Sequence, residues 1–149
     1  QANASPGDRF GAAVALISLA SFIDDNSITT APYRGMIAIG APGEAGSAQG
    51  VVGSPYDNAA GSGAVYLFLQ DLATDWSRSR YVKASNSGPN FEFGSAVDLT
   101  DTGTSLAVAA PGEPVASGGV GPDPDGDDPS DPANQNIDAP GGAGAAYIY

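Results

Sequence analysis

The 149-residue chain contains no cysteine and no histidine. Without thiols there is no disulfide, zinc–thiolate site or thiol nucleophile, and without imidazole the commonest general base and a frequent metal ligand are missing. Positive charge is scarce as well: Lys and Arg total 5 against 17 Asp and Glu, for a net charge of −12. Phosphate backbones and anionic lipid surfaces would be repelled, so nucleic acid is not an expected partner. No apolar run approaches the roughly 18 residues of a spanning helix, and no membrane insertion is expected. A signal peptide is not visible, although Gln1 in place of Met points to a processed or trimmed start and leaves secretion open.

What is present suits a folded, turn-rich chain. Hydrophobic residues make up 42% of it and charged ones 15%, which allows a buried core and argues against a solvated disordered polymer. Residues 1–149 are read as a single all-β domain, because 21 Gly and 12 Pro suit many short strands joined by tight turns.

The strongest signal is an internal repeat. Asp8-Arg9-Phe10-Gly11-Ala12-Ala13-Val14-Ala15-Leu16 returns as Phe91-Glu92-Phe93-Gly94-Ser95-Ala96-Val97-Asp98-Leu99. Ile37-Ala38-Ile39-Gly40-Ala41-Pro42-Gly43-Glu44 returns as Leu106-Ala107-Val108-Ala109-Ala110-Pro111-Gly112-Glu113, and Gly63-Ala64-Val65-Tyr66-Leu67-Phe68 as Gly144-Ala145-Ala146-Tyr147-Ile148-Tyr149. The first copy covers about 8–84 and the second about 91–149. Each carries one long insertion, the first between its first two blocks and the second between its last two, as surface loops on a repeated scaffold tolerate. About four antiparallel strands per copy are expected. Met36 to Ile39 and Leu106 to Val108 are central strands, and Ala64 to Leu69 and Ala145 to Tyr149 are aromatic and branched. Trp76 to Ala84, with Arg78, Arg80 and Lys83, is expected as an outer strand solvated on one side and guarded by charge. The second copy stops before any counterpart of that strand.

These blocks resemble the FG-GAP repeat, the blade unit of integrin α-chain β-propellers and of many bacterial surface and secreted proteins, and Trp76 followed by Tyr81-Val82-Lys83-Ala84-Ser85-Asn86 before the next Phe-Gly resembles the bacterial tandem type more than integrins. The resemblance rests on Phe10-Gly11 and Phe93-Gly94, on Gly40-Ala41-Pro42, and on Ala110-Pro111, where Ala109 departs from the Gly of the motif. It implies two propeller-type blades, the second lacking its outer strand. Phe10 and Phe93 would fill the space between adjacent blades, and Gly11 and Gly94 would let backbones approach. Propellers need four to eight blades, and two cannot close a ring. Either the missing strand and neighbours come from other copies, giving a ring or a filament through unpaired strand edges, or the chain is a piece of a longer propeller. The expected function is therefore non-catalytic: an extracellular, secreted or cell-surface structural and adhesive subunit that associates with itself. The alternative is a propeller fragment that binds a surface protein or glycan with the help of calcium.

Candidate sites are few. The segment 121–131 places Asp123, Asp125, Asp127, Asp128 and Asp131 around Gly126, a partial likeness to calcium loops without their terminal Glu. It is read first as a solvated acidic loop and second as a calcium site. Asp98 and Asp101 form a shortened relic of the calcium loop that the family often carries, and Asp24-Asp25-Asn26 are expected to cap or turn a long loop. Asn3-Ala4-Ser5 is the one N-glycosylation pattern, making Asn3 the candidate acceptor. Nothing forms a nucleophile motif, and the acidic loop has no apolar pocket to raise a carboxyl pKa for acid catalysis.

Overall fold

The computed structural model describes residues 5–18, 22–24, 27–29, 33–46, 51–52, 59–73, 75–85, 87–114, 119–120, 136–138 and 144–149. Among these there is no helix. The described residues form twelve strands, in chain order β1 (Ala13–Ser18), β2 (Phe22–Asp24), β3 (Ser27–Thr29), β4 (Gly35–Ala41), β5 (Val51–Val52), β6 (Ala64–Gln70), β7 (Trp76–Val82), β8 (Ala96–Leu99), β9 (Leu106–Ala110), β10 (Gly119–Val120), β11 (Asn136–Asp138) and β12 (Ala145–Ile148). They form two five-stranded antiparallel sheets, ordered β1-β4-β6-β7-β5 and β10-β11-β12-β9-β8, beside a small β2–β3 hairpin. The all-β expectation is met.

The sequence repeat is also a repeat of register. Val14 lies opposite Ile39 and Leu16 opposite Ile37 in the first sheet, as Val97 lies opposite Val108 and Leu99 opposite Leu106 in the second. Ile39 then pairs with Tyr66 and Ala41 with Ala64, as Val108 pairs with Tyr147 and Ala110 with Ala145. A one-residue slip would turn every apolar side chain to the opposite face, so equal registers mean equal faces.

The sheets pack face to face. Ala38, Val65 and Val82 of the first sheet, with Ala15, Ile17, Met36 and Leu67 at the margin, meet Leu99, Leu106, Val108 and Tyr147 of the second. Phe93 sits fully buried in this core, edge-on to Tyr147 at 5.3 Å between ring centroids. The seam continues in the backbone, where Phe93 N–H donates to Ser62 O at 3.1 Å and Gly63 bridges Phe93 in parallel.

Two glycines set how closely the repeats approach. A Cβ on Gly40 would lie 2.0 Å from the Gly94 carbonyl oxygen, and Gly94 itself has φ +92 with its Cβ position 2.5 Å from Ala64 O. Backbone cannot yield to a methyl at such distances, so both positions need glycine. The glycine of Gly40-Ala41-Pro42 thus serves the next repeat rather than its own turn. Ala109, the counterpart of Gly40, lies on the far face of the second sheet, where no following repeat of the described chain presses on it.

Two expectations are corrected. The second sheet does not lack an outer strand: β11, from the insertion between β9 and β12, pairs with β12 through Asn136–Tyr147, Ile137–Ala146 and Asp138–Ala145, and β10 extends the sheet beyond it. An unpaired β12 edge would leave backbone donors and acceptors open, and the insertion is long enough to fold back and satisfy them. Within 21–34, where a loop was expected, β2 and β3 pair as a hairpin (Phe22–Thr29, Ile23–Ile28, Asp24–Ser27), consistent with the strand preference of Phe, Ile and Thr.

Candidate functional site: an open apolar face and a buried charge cluster

The first strand, Ala-Val-Ala-Leu-Ile-Ser, is apolar at both parities. A strand with period-two apolarity on both faces belongs in the middle of a layered stack, covered on each side. One of its faces is covered. Ala15 and Ile17 turn to the second sheet, whereas Val14 and Leu16, 55% and 64% exposed, turn away from it.

On that outer face Phe10 lies edge-on over Tyr66 at 5.3 Å, and Tyr66 lies edge-on to Tyr81 at 5.1 Å. Phe10 is the counterpart of Phe93, and the Phe10–Tyr66 contact repeats Phe93–Tyr147. Burial separates them: Phe93 is 0% exposed and Phe10 43%. Around Phe10 lies an open depression of about 290 Å³ lined by Ile37, Ile39, Phe68 and Trp76. Trp76, 44% exposed, stands on this surface and not in a core.

The opposite end of the molecule is built differently. Asp98 and Thr100 occupy the places of Ala15 and Ile17, Ser105 that of Met36 and Ala109 that of Gly40. Asp98 and Thr100 are exposed, and a shallow depression of about 210 Å³ lies among Asp98, Thr100, Ser105, Ala107 and Ile148.

A second feature lies where the first sheet meets the entry of the second repeat. Glu44 Oε2 accepts hydrogen bonds from Tyr81 Oη at 2.6 Å, Gly46 N at 2.9 Å and Lys83 Nζ at 3.3 Å. Lys83 Nζ also donates to Ser62 Oγ at 2.5 Å, and that hydroxyl donates in turn to Gly46 O at 2.6 Å. Lys83, Ser62 and Glu44 are all buried, so the lysine is not among the solvated edge charges expected of the outer strand. It follows β7, where the chain leaves the sheet and turns inward to Ala84, also buried. A lysine beside a serine hydroxyl can activate a nucleophile. Here the hydroxyl is 0% exposed and committed to carbonyl oxygens, and the group serves to tie three chain segments together. The second repeat keeps half of the arrangement, since Glu113 is fully buried and accepts from Tyr147 Oη. Recurrence of Glu after Ala-Pro-Gly in both copies was the sequence signal for this role; nothing local marked Lys83.

Burial lowers the Lys83 ammonium to about 8, against the opposing pull of Glu44. Burial, helped by the Glu113 carboxylate, pushes the Tyr149 phenol up. The unfolded chain holds the lysine proton up to its usual 10.5 and the folded chain only to about 8, so stability rises with pH between them. Above about 10 the unfolded chain gives up the Tyr149 proton that the folded chain retains, and stability falls again. Urea unfolding is therefore expected to show stability climbing from pH 8 to 10, by up to about 1.4 kcal/mol per pH unit for one proton. The rise should vanish in a Glu44→Gln/Lys83→Met double variant; a slope shared by both proteins would assign it to other groups.

The remaining sequence candidates do not converge. Asp98 and Asp101 are exposed, with Asp98 Oδ1 accepting from Leu99 N at 2.9 Å, and no group of three potential ligands occurs among the described residues. Asp123, Asp125, Asp127, Asp128, Asp131 and Asn3 lie outside the described residues. Of the motif positions, Gly11 (φ +92) and Gly94 share a left-handed backbone, Ala41, Pro42 and Ala110 are buried, and Pro111 is exposed. No family model, curated protein or solved structure matches the chain.

Proposed function

We propose that this chain is a non-catalytic structural repeat module that associates with further copies of itself through the open apolar face of its first sheet. The observation carrying the reading is the inequality of Phe10 and Phe93: two residues in the same local setting, one sealed by a neighbouring sheet and one left at 43% exposure. Two of the strand edges are covered within the chain. β11 covers β12 along Ala145 to Tyr147, and β5 covers β7 at Tyr81 and Val82. The FG-GAP-like motifs support an extracellular, adhesive setting for such a module, and the acidic net charge of −12 keeps the remaining surface soluble and selective against casual contacts.

Light scattering over a wide range of protein concentration tests this. The mass is expected to exceed one chain as concentration rises, and Phe10→Ser is expected to shift that transition to higher concentration. A mass of one chain throughout would overturn the reading.

A further inference from the structure

Resting on that self-association, we infer that copies pair open face to open face in a closed two-fold dimer, and that the far face of the second sheet is a cap which prevents rings or filaments. Two arrangements would bury the open face against another copy. In the head-to-tail arrangement, the open face of one copy takes the far face of the next, repeating the seam inside the chain. In the two-fold arrangement, the same face meets itself.

The internal seam is a template that the far face fails to reproduce. At the seam, Ala15, Ile17 and Met36 present apolar side chains and Gly40 admits the Gly94 carbonyl. On the far face the same positions hold Asp98, Thr100, Ser105 and Ala109. In a head-to-tail copy, Gly11 of the incoming chain would take the place of Gly94. The Ala109 methyl would then stand where a Cβ on Gly40 falls 2.0 Å from a backbone oxygen. Asp98 would lose its water as well. Repeat stacks in general end on units with polar groups on the outer face.

The open face, by contrast, carries both halves of a self-complementary contact. Leu16, 64% exposed, projects beside the depression framed by Phe10, Ile37, Ile39, Phe68 and Trp76. A two-fold axis across the face would set each copy's Leu16 toward the other's depression. The product is four sheets in a row with both open faces buried and a far face bearing Asp98 and Thr100 at each end.

The test compares the masses of three proteins by light scattering, with circular dichroism confirming that each is folded. Wild type is expected to plateau at two chains. Leu16→Asp should remain at one chain at concentrations at least tenfold above the wild-type transition. Ser105→Arg, on the far face, should dimerise like wild type, and Ala107→Arg replaces it if that variant fails to fold. Growth of the wild type beyond two chains would overturn the inference, as would a monomeric but folded Ser105→Arg, since both mark head-to-tail contact. A wild type that never leaves one chain would instead remove the self-association reading on which the inference stands.

Discussion

Phe93→Ala is expected to destabilise the fold by about 3–5 kcal/mol, whereas Phe10→Ala should cost about 1 kcal/mol in the isolated chain. The two phenylalanines occupy equivalent positions and make equivalent edge-on contacts to Tyr66 and Tyr147. Removing Phe93 empties a fully enclosed site between two sheets that cannot collapse, because Gly63 and Gly94 already hold their backbones in contact across the seam. Removing Phe10 opens no cavity. Urea unfolding in a Leu16→Asp background, where the open face stays unpaired, would check both values. Equal losses at the two positions would mean that Phe10 is covered by something in the single chain.

Lys83→Met is expected to cost about 3–5 kcal/mol, because it strands the Glu44 carboxylate inside the protein without its cation. Adding Glu44→Gln should restore at least about 2 kcal/mol of this, since a neutral amide oxygen can still accept from Tyr81 and Gly46 and no buried charge remains. A double-mutant cycle in denaturant gives the coupling directly. A double variant no more stable than Lys83→Met alone would show that the lysine acts through its packed methylenes and not through its charge. The same cluster joins the loop after β4, the approach to β6 and the exit from β7, so its loss is expected to loosen that end of the first sheet before the rest.

Much of this architecture was legible in the sequence. Three repeated blocks were enough to place β1, β4 and β6 against β8, β9 and β12, and the equal registers follow from the equal patterns. The departure at Ala109 was visible too, but its meaning was not. A glycine's reason for being glycine lay in a carbonyl 54 residues further on, at Gly94. Lys83 misled because a charged residue at the end of an alternating strand ordinarily faces water. Its burial depends on a glutamate 39 residues earlier in the chain, and such pairings leave no local trace. The β11 pairing was hidden for another reason. Asn136–Asp138 is too short and too weakly patterned to announce a strand, and it pairs because β12 offers it an open edge.

The sequence by itself determined the scarcity of positive charge, the absence of thiols and imidazoles, the all-β character and the duplication, because each depends on composition or on local period. Tertiary structure alone decided which copy of the phenylalanine is sealed and which is open. The reason is that burial belongs to a pair of surfaces. Two strands of like pattern become inequivalent as soon as a neighbouring sheet covers a face of one that, among the described residues, stays open on the other.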